Sequence, residues 1–290
     1  MRKYTATLPM LASLLYCGVA HADEGSTKPI IGEKSIIRLS YRTEDTDSDG
    51  SRGTSSGHDS ILERVVAVLP EGVEYEYDLP PEASKQDRQR EWLLPARILR
   101  PTTGAARLLN EPELEARLDK WLASAKWTRE ICGRWIFTWN AFQIVCDPKK
   151  ALSTVELFNL DAIQPTDGKP ITIPRAQAGG IIRQISNGKA GATYEVSFAV
   201  DPLEVRKERA EADVAVGSIT GKQVSLQTAL EEHAKNKVSG TIRISFETDD
   251  IGKVWRRITE TKLSTTKPDG KTELSERVET VERVAAHTDQ

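Results

Sequence analysis

Asp45, Asp47, Asp49 and Gly50 spell D-x-D-x-D-G, the first half of a calcium loop. Alternating carboxylates can converge on a hard cation, and the glycine permits the sharp turn such a loop needs. The second half departs from the pattern: the twelfth position is Ser56 where a bidentate glutamate belongs, the eighth is Arg52, and the flanks read as strands. That excludes an EF-hand and leaves two readings, a non-helical calcium site on Asp45, Asp47 and Asp49 or a solvated hairpin tip.

The same tract contains Gly53-Thr54-Ser55-Ser56-Gly57, a G-x-S-x-G match followed by His58 and Asp59. A nucleophile elbow needs a buried apolar strand before it and a helix after it. The surroundings here are Ser, Gly and Asp, and His58 and Asp59, as chain neighbours, cannot stack into a relay with Ser55. No catalytic residue is assigned, and a hydrolase using residues 45–59 is carried as an alternative. Gly270-Lys271-Thr272 ends like a phosphate loop, but Thr265 stands where the first glycine is required. His58, His233 and His287 are scattered without zinc spacing. Glu74, Glu76 and Asp78 alternate with Val73, Tyr75, Tyr77 and Leu79, and read as the wet face of a strand rather than a glycosidase pair.

Met1 to Ala22 has a cationic start in Arg2 and Lys3, an uncharged apolar run from Leu8 to Ala20, and small residues at Ala20 and Ala22. This reads as a secretory signal peptide, because the apolar run is too short to remain as a membrane span. It implies export to a periplasmic or extracellular, oxidising compartment. Lipid anchoring at Cys17 is disfavoured, since bulky Tyr16 stands where a lipidation box wants a small residue. Setting the segment aside removes both methionines and leaves Cys132 and Cys146. Losing Arg2 and Lys3 moves the formal charge from −3 to −5. Charges of both signs are interspersed, which argues against nucleic acid as a partner, and no later run is long enough for a transmembrane segment.

An even cysteine pair in an oxidising compartment implies a disulfide. Ile131 to Trp139 and Phe142 to Cys146 read as two strands about a turn near Asn140, which sets 132 opposite 146 at a distance a disulfide can bridge. A redox-active pair would want C-x-x-C spacing instead. Trp121, Trp127, Trp135 and Trp139 are four of the six tryptophans, with Phe137 and Phe142 among them. Two readings stay open: a core plate where a helix packs on the disulfide hairpin, or an apolar groove for a lipid, peptide or glycan.

These groups need elements to position them. Residues 23–34 read as a flexible arm, Ser35 to Thr43 as a strand, and Glu44 to Ser60 as a long mobile loop. Ile61 to Leu69 and Val73 to Leu79 form a hairpin, followed by a short polar helix to about Arg90 and a strand from Trp92 to Leu99. Asn110 and Glu113 form a capping box for a helix from Glu111 to Ala125, and Asp147-Pro148 opens another. Residues 161–180, rich in Pro and Gly, connect an N-terminal half (35–160) to a C-terminal half (181–290), and both halves can form one domain. In the second half, Ile181 to Ser186 and Thr193 to Val200 pair around Asn187-Gly188. Asp201-Pro202 begins a helix to about Ala212, and Ser225 caps a shorter one. Val238 to Thr248, Lys253 to Thr265 and Thr272 to about Val284 form a meander of long strands.

The expected fold is α+β: a curved, half-barrel-like, mainly antiparallel sheet packed with several short helices. This layout is similar to envelope lipoprotein carriers, which fold a curved antiparallel sheet around helices; without a shared motif the resemblance implies fold only. The expected function is that of an exported, non-enzymatic binding or envelope-associated protein. It would hold an apolar ligand or an envelope protein on its sheet, with no cofactor required. A calcium-stabilised structural protein is the other alternative.

Overall fold

The computed structural model describes residues 29–137 and 141–285. The expected signal peptide, Cys17, the first half of the expected arm, Trp139 and His287 lie outside the described residues. In chain order the strands and helices are β1 (Lys34–Thr46), β2 (Arg52–Leu69), β3 (Gly72–Asp78), α1 (Lys85–Arg90), β4 (Ala96–Pro101), β5 (Arg107–Leu108) and α2 (Glu111–Ser124). A short hairpin, β6 (Trp135–Phe137) and β7 (Ala141–Gln143), precedes α3 (Lys150–Glu156), β8 (Pro170–Ile171) and β9 (Gly180–Ile181). The second half contains β10 (Arg183–Gly188), β11 (Gly191–Ala199), α4 (Pro202–Thr220), α5 (Leu226–Ala234), β12 (Lys237–Thr248), β13 (Val254–Thr266) and β14 (Thr272–Ala285).

Ten strands make one open antiparallel sheet in the order β10-β11-β12-β13-β14-β1-β2-β3-β4-β5. Two meanders, one from each half, are joined at the sheet centre by β14 and β1, with Ser35 opposite Ala285 and Thr46 opposite Leu274. Strand alternation gives this sheet two unlike faces. Ile37, Ile61, Tyr77 and Ile98 from the first half belong to one buried cluster with Val196, Ile242, Ile244 and Phe246 from the second. Leu114, Leu118 and Leu122 of α2 and Val155 of α3 complete that cluster on the helix-covered, inner face. The outer face is a charged lattice. Arg243 pairs with Glu195 and Glu260, Arg256 with Glu247, and Lys262 with Glu276. Such a face has no resemblance to the apolar band of a lipid-facing barrel.

Several expectations are corrected. Residues 44–60 are not a mobile loop: β1 runs to Thr46, β2 starts at Arg52, and the turn covers only 47–51, closed by Asp47 N–H to Ser51 C=O at 2.9 Å. Polar side chains are tolerated there because β1 lies between two partners that satisfy its backbone, so pairing overrides composition. Asn187 and Gly188 belong to β10, and the turn is Lys189-Ala190, since Gly188 pairs with Gly191. Gly191 has φ +129°, and a Cβ there would meet the Thr248 carbonyl at 1.8 Å, so the chain must reverse on the glycine side. α4 continues past Ala212 to Thr220 and stops at Gly221, which adopts the left-handed conformation (φ 71°) suited to a helix end. β4 begins at Ala96 rather than Trp92, and Trp92 and Leu94 instead enter the core.

Candidate functional site

The centre of the inner face carries charge. Ile61 and Val65 flank Glu63 on β2, and Ile98 precedes Arg100 on β4; the same face of β13 and β14 contributes Arg257 and Arg283. A strap running on from α3, residues 157–163, crosses above them. Its Phe158, Leu160 and Ile163 are buried in the shared core, while its polar groups meet the arginines. Arg283 Nη2 lies 2.8 Å from Asp161 Oδ2 and 3.2 Å from Glu63 Oε1. Tyr77 donates its hydroxyl to Glu63 at 3.1 Å and accepts from Arg100 Nε at 2.9 Å. Arg100 Nη1 donates to Glu156 at 3.0 Å, and Arg257 Nη1 and Nη2 donate to the Asn159 and Leu157 carbonyls at 2.9 and 3.3 Å.

Burial governs the protonation of this cluster. It pushes the Glu63 carboxyl above its ordinary range; Arg283 opposes the shift and the Asp161 charge adds to it. The Tyr75 and Tyr77 hydroxyls are raised, first by burial and then by the neighbouring carboxylates. Burial works against the charges on Arg100 and Arg283, but the facing acidic groups overrule it and both stay protonated. A set of protonated arginines and a high-pKa carboxyl can hold an anion.

The aromatic residues lie beside this cluster's helices. Trp121 near the end of α2 meets Trp127 edge to face, with ring centres 5.5 Å apart and planes at 75°. Both are half-buried against the core, which suits an amphipathic ring with one wet edge. The turn Arg129–Ile131 follows, and Cys132 is bonded to Cys146 with Cα atoms 5.6 Å apart. Trp135 opposite Gln143 fixes the register that sets 132 against 146, as the spacing predicts. The hairpin strands are shorter than expected, and β6 lies beside α4. Trp135 is half-buried; Trp139 and the side chains of Phe137 and Phe142 lie outside the described residues. The structure thus brings together Trp121 and Trp127 of the six aromatic candidates.

The other sequence candidates are not assembled. Ser55 and Asp59 share one face of β2, and His58 projects from the opposite face, so the strand itself separates Ser55 from His58. Asp49 accepts from the Ser51 N–H at 2.8 Å and Asp47 from the Ser51 hydroxyl at 3.3 Å. Among the described residues no group of three or more His, Cys, Asp or Glu could hold a metal ion. Sequence reasoning missed Glu63, Arg100, Asp161 and Arg283. The available signal was a charge in phase with core residues: Glu63 between Ile61 and Val65, and Arg283 two after Val281.

No protein-family model matches the chain, and no curated protein matches it. A solved structure of lipovitellin, concerned with its lipid–protein interactions, aligns at 7% identity and a TM-score of 0.40, over 90% of this chain and 26% of its own. Ail, the attachment invasion locus protein of Yersinia pestis, in complex with the heparin analogue sucrose octasulfate, aligns at 6% identity and a TM-score of 0.19, over 88% of this chain and 100% of Ail. Likenesses at these scores carry no argument about function.

Proposed function

We propose that this is an exported, non-enzymatic binding protein that holds an apolar ligand or an envelope partner on the inner, helix-covered side of a sheet curved around its helices. The half-buried Trp121–Trp127 pair carries the reading, because aromatic surface left partly open beside an apolar core is the kind of surface that lines ligand grooves. The disulfide supports an oxidising compartment, and the apolar run from Leu8 to Ala20 supports delivery there by a signal peptide. No described helix is long and apolar enough to cross a membrane.

Titration with long-chain alcohols and fatty acids, followed by tryptophan emission, tests this. A saturable blue shift that Trp121→Leu weakens several-fold is the expected result. Emission that no apolar ligand or envelope extract alters would remove the proposal.

A further inference from the structure

The strap from Glu156 to Ile163 meets the inner face as an anionic amphiphile would. Its carboxylates, Glu156 and Asp161, sit on Arg100 and Arg283, and its apolar side chains, Phe158, Leu160 and Ile163, are 3%, 1% and 7% exposed. The strap does not satisfy every donor of the receptor it covers. Arg100 Nη2 and Arg283 Nε are buried without a hydrogen-bond partner, although the Arg283 side chain is only 9% exposed. Buried donors are ordinarily satisfied, and an orphan in a cluster this polar is a donor that a further acceptor would satisfy. The occupant already meets water at one end, since the Asp161 side chain is 33% exposed.

We infer that Arg100 and Arg283, braced by Tyr77 and Glu63, form the head-group receptor for an amphiphile with a carboxylate head and an apolar tail, and that the strap occupies this receptor in the free protein. The inference rests on the proposed binding role and specifies its ligand class. At Arg283 the exchange conserves charge: a ligand carboxylate enters as Asp161 leaves, so this arginine is not left buried and unpaired, which is the costly state. The ligand's tail replaces Phe158, Leu160 and Ile163 against the core. The strap is thus an internal competitor that lowers apparent affinity by the fraction of time it occupies the site.

Oleate and oleyl alcohol share a tail and differ in the head group, so the two probes isolate the receptor. With the full protein below the micellar range, oleate is expected to bind at least 10-fold more tightly than oleyl alcohol and to raise hydrogen exchange selectively in residues 157–163. Asp161→Asn removes the competing charge at a partly exposed position and should tighten oleate binding by about 10-fold, with oleyl alcohol little changed. Glu156→Gln is the second variant and should act in the same direction. Equal binding of the two probes, or a folded Asp161→Asn protein that binds oleate no more tightly than the parent, overturns the inference while leaving an apolar groove intact. Failure of the broader reading looks different, because then neither probe alters tryptophan emission.

Discussion

Replacing Arg283 by methionine removes the cation that Glu63 and Asp161 share while keeping much of the side chain's apolar length. The Arg283–Glu63 pair is separated by 3.2 Å, with side chains 9% and 11% exposed. Breaking a pair this buried costs about 3–5 kcal/mol, because the remaining carboxylate is left uncompensated. The cost depends on pH. Burial already holds the Glu63 carboxyl above its ordinary 4.5, and Arg283 is the leading group pulling it back; without the arginine it rises further. A carboxyl raised in the folded protein contributes its full stability below its unfolded value and loses that contribution as pH climbs through the folded value. The Arg283→Met penalty is therefore largest near pH 8 and shrinks toward pH 5. Adding Glu63→Gln to the same protein should abolish most of that pH dependence. Urea unfolding at both pH values, followed by tryptophan emission, measures the four proteins of the cycle. A penalty below about 1 kcal/mol at pH 8, in the range of an exposed ion pair, would refute the reasoning. So would one that is the same at pH 5.

Reducing the Cys132–Cys146 bond, which closes a loop of sequence separation 14, should lower stability by roughly 3 kcal/mol, read as a shift of the urea midpoint with and without reductant. Asn110→Ala leaves the Arg97 N–H without the acceptor it has at 2.9 Å and takes a donor from the Pro95 carbonyl, and should cost about 2–3 kcal/mol by thermal unfolding, more than loss of an ordinary helix cap. Leu118→Ala at a fully buried position should cost about 3–4 kcal/mol. It should move a single calorimetric transition rather than one of two, because residues from both halves share one core.

What was legible in the sequence was local. The Pro70-Glu71-Gly72 and Asp249-to-Gly252 turns announce their hairpins by residue type, and alternation in residues 73–79 and 238–248 marks strands with one buried face. Ser225 caps α5 as expected, accepting from the Thr228 N–H at 3.0 Å. Asn110 misleads: it makes no cap bond to α2, and its amide instead bridges Pro95 and Arg97 at the edge of β4. The residue type that favours a cap also favours any site offering a donor and an acceptor, and burial decided between them. Residues 44–60 were illegible because their order comes from partners: Glu44 pairs with Thr54 on one side and Glu276 on the other, a distance in sequence that no local pattern encodes. The charged centre of the inner face failed for a related reason. Each of Glu63, Arg100 and Arg283 looks like an ordinary surface charge until the register places all three beneath one strap.

The junction of β1 and β14 imposes an order on biogenesis. A chain delivered N-terminus first presents β1 with one partner, β2, and a bare edge along Lys34 to Thr46. That edge stays open until residues 272–285, far later in the chain, close it. Contacts so remote in sequence make for slow folding, and an unpaired central edge is a template for pairing with the wrong chain. β14 therefore acts as a keystone: strands on either side can pair early, but the sheet becomes a single body only when β14 docks against β1.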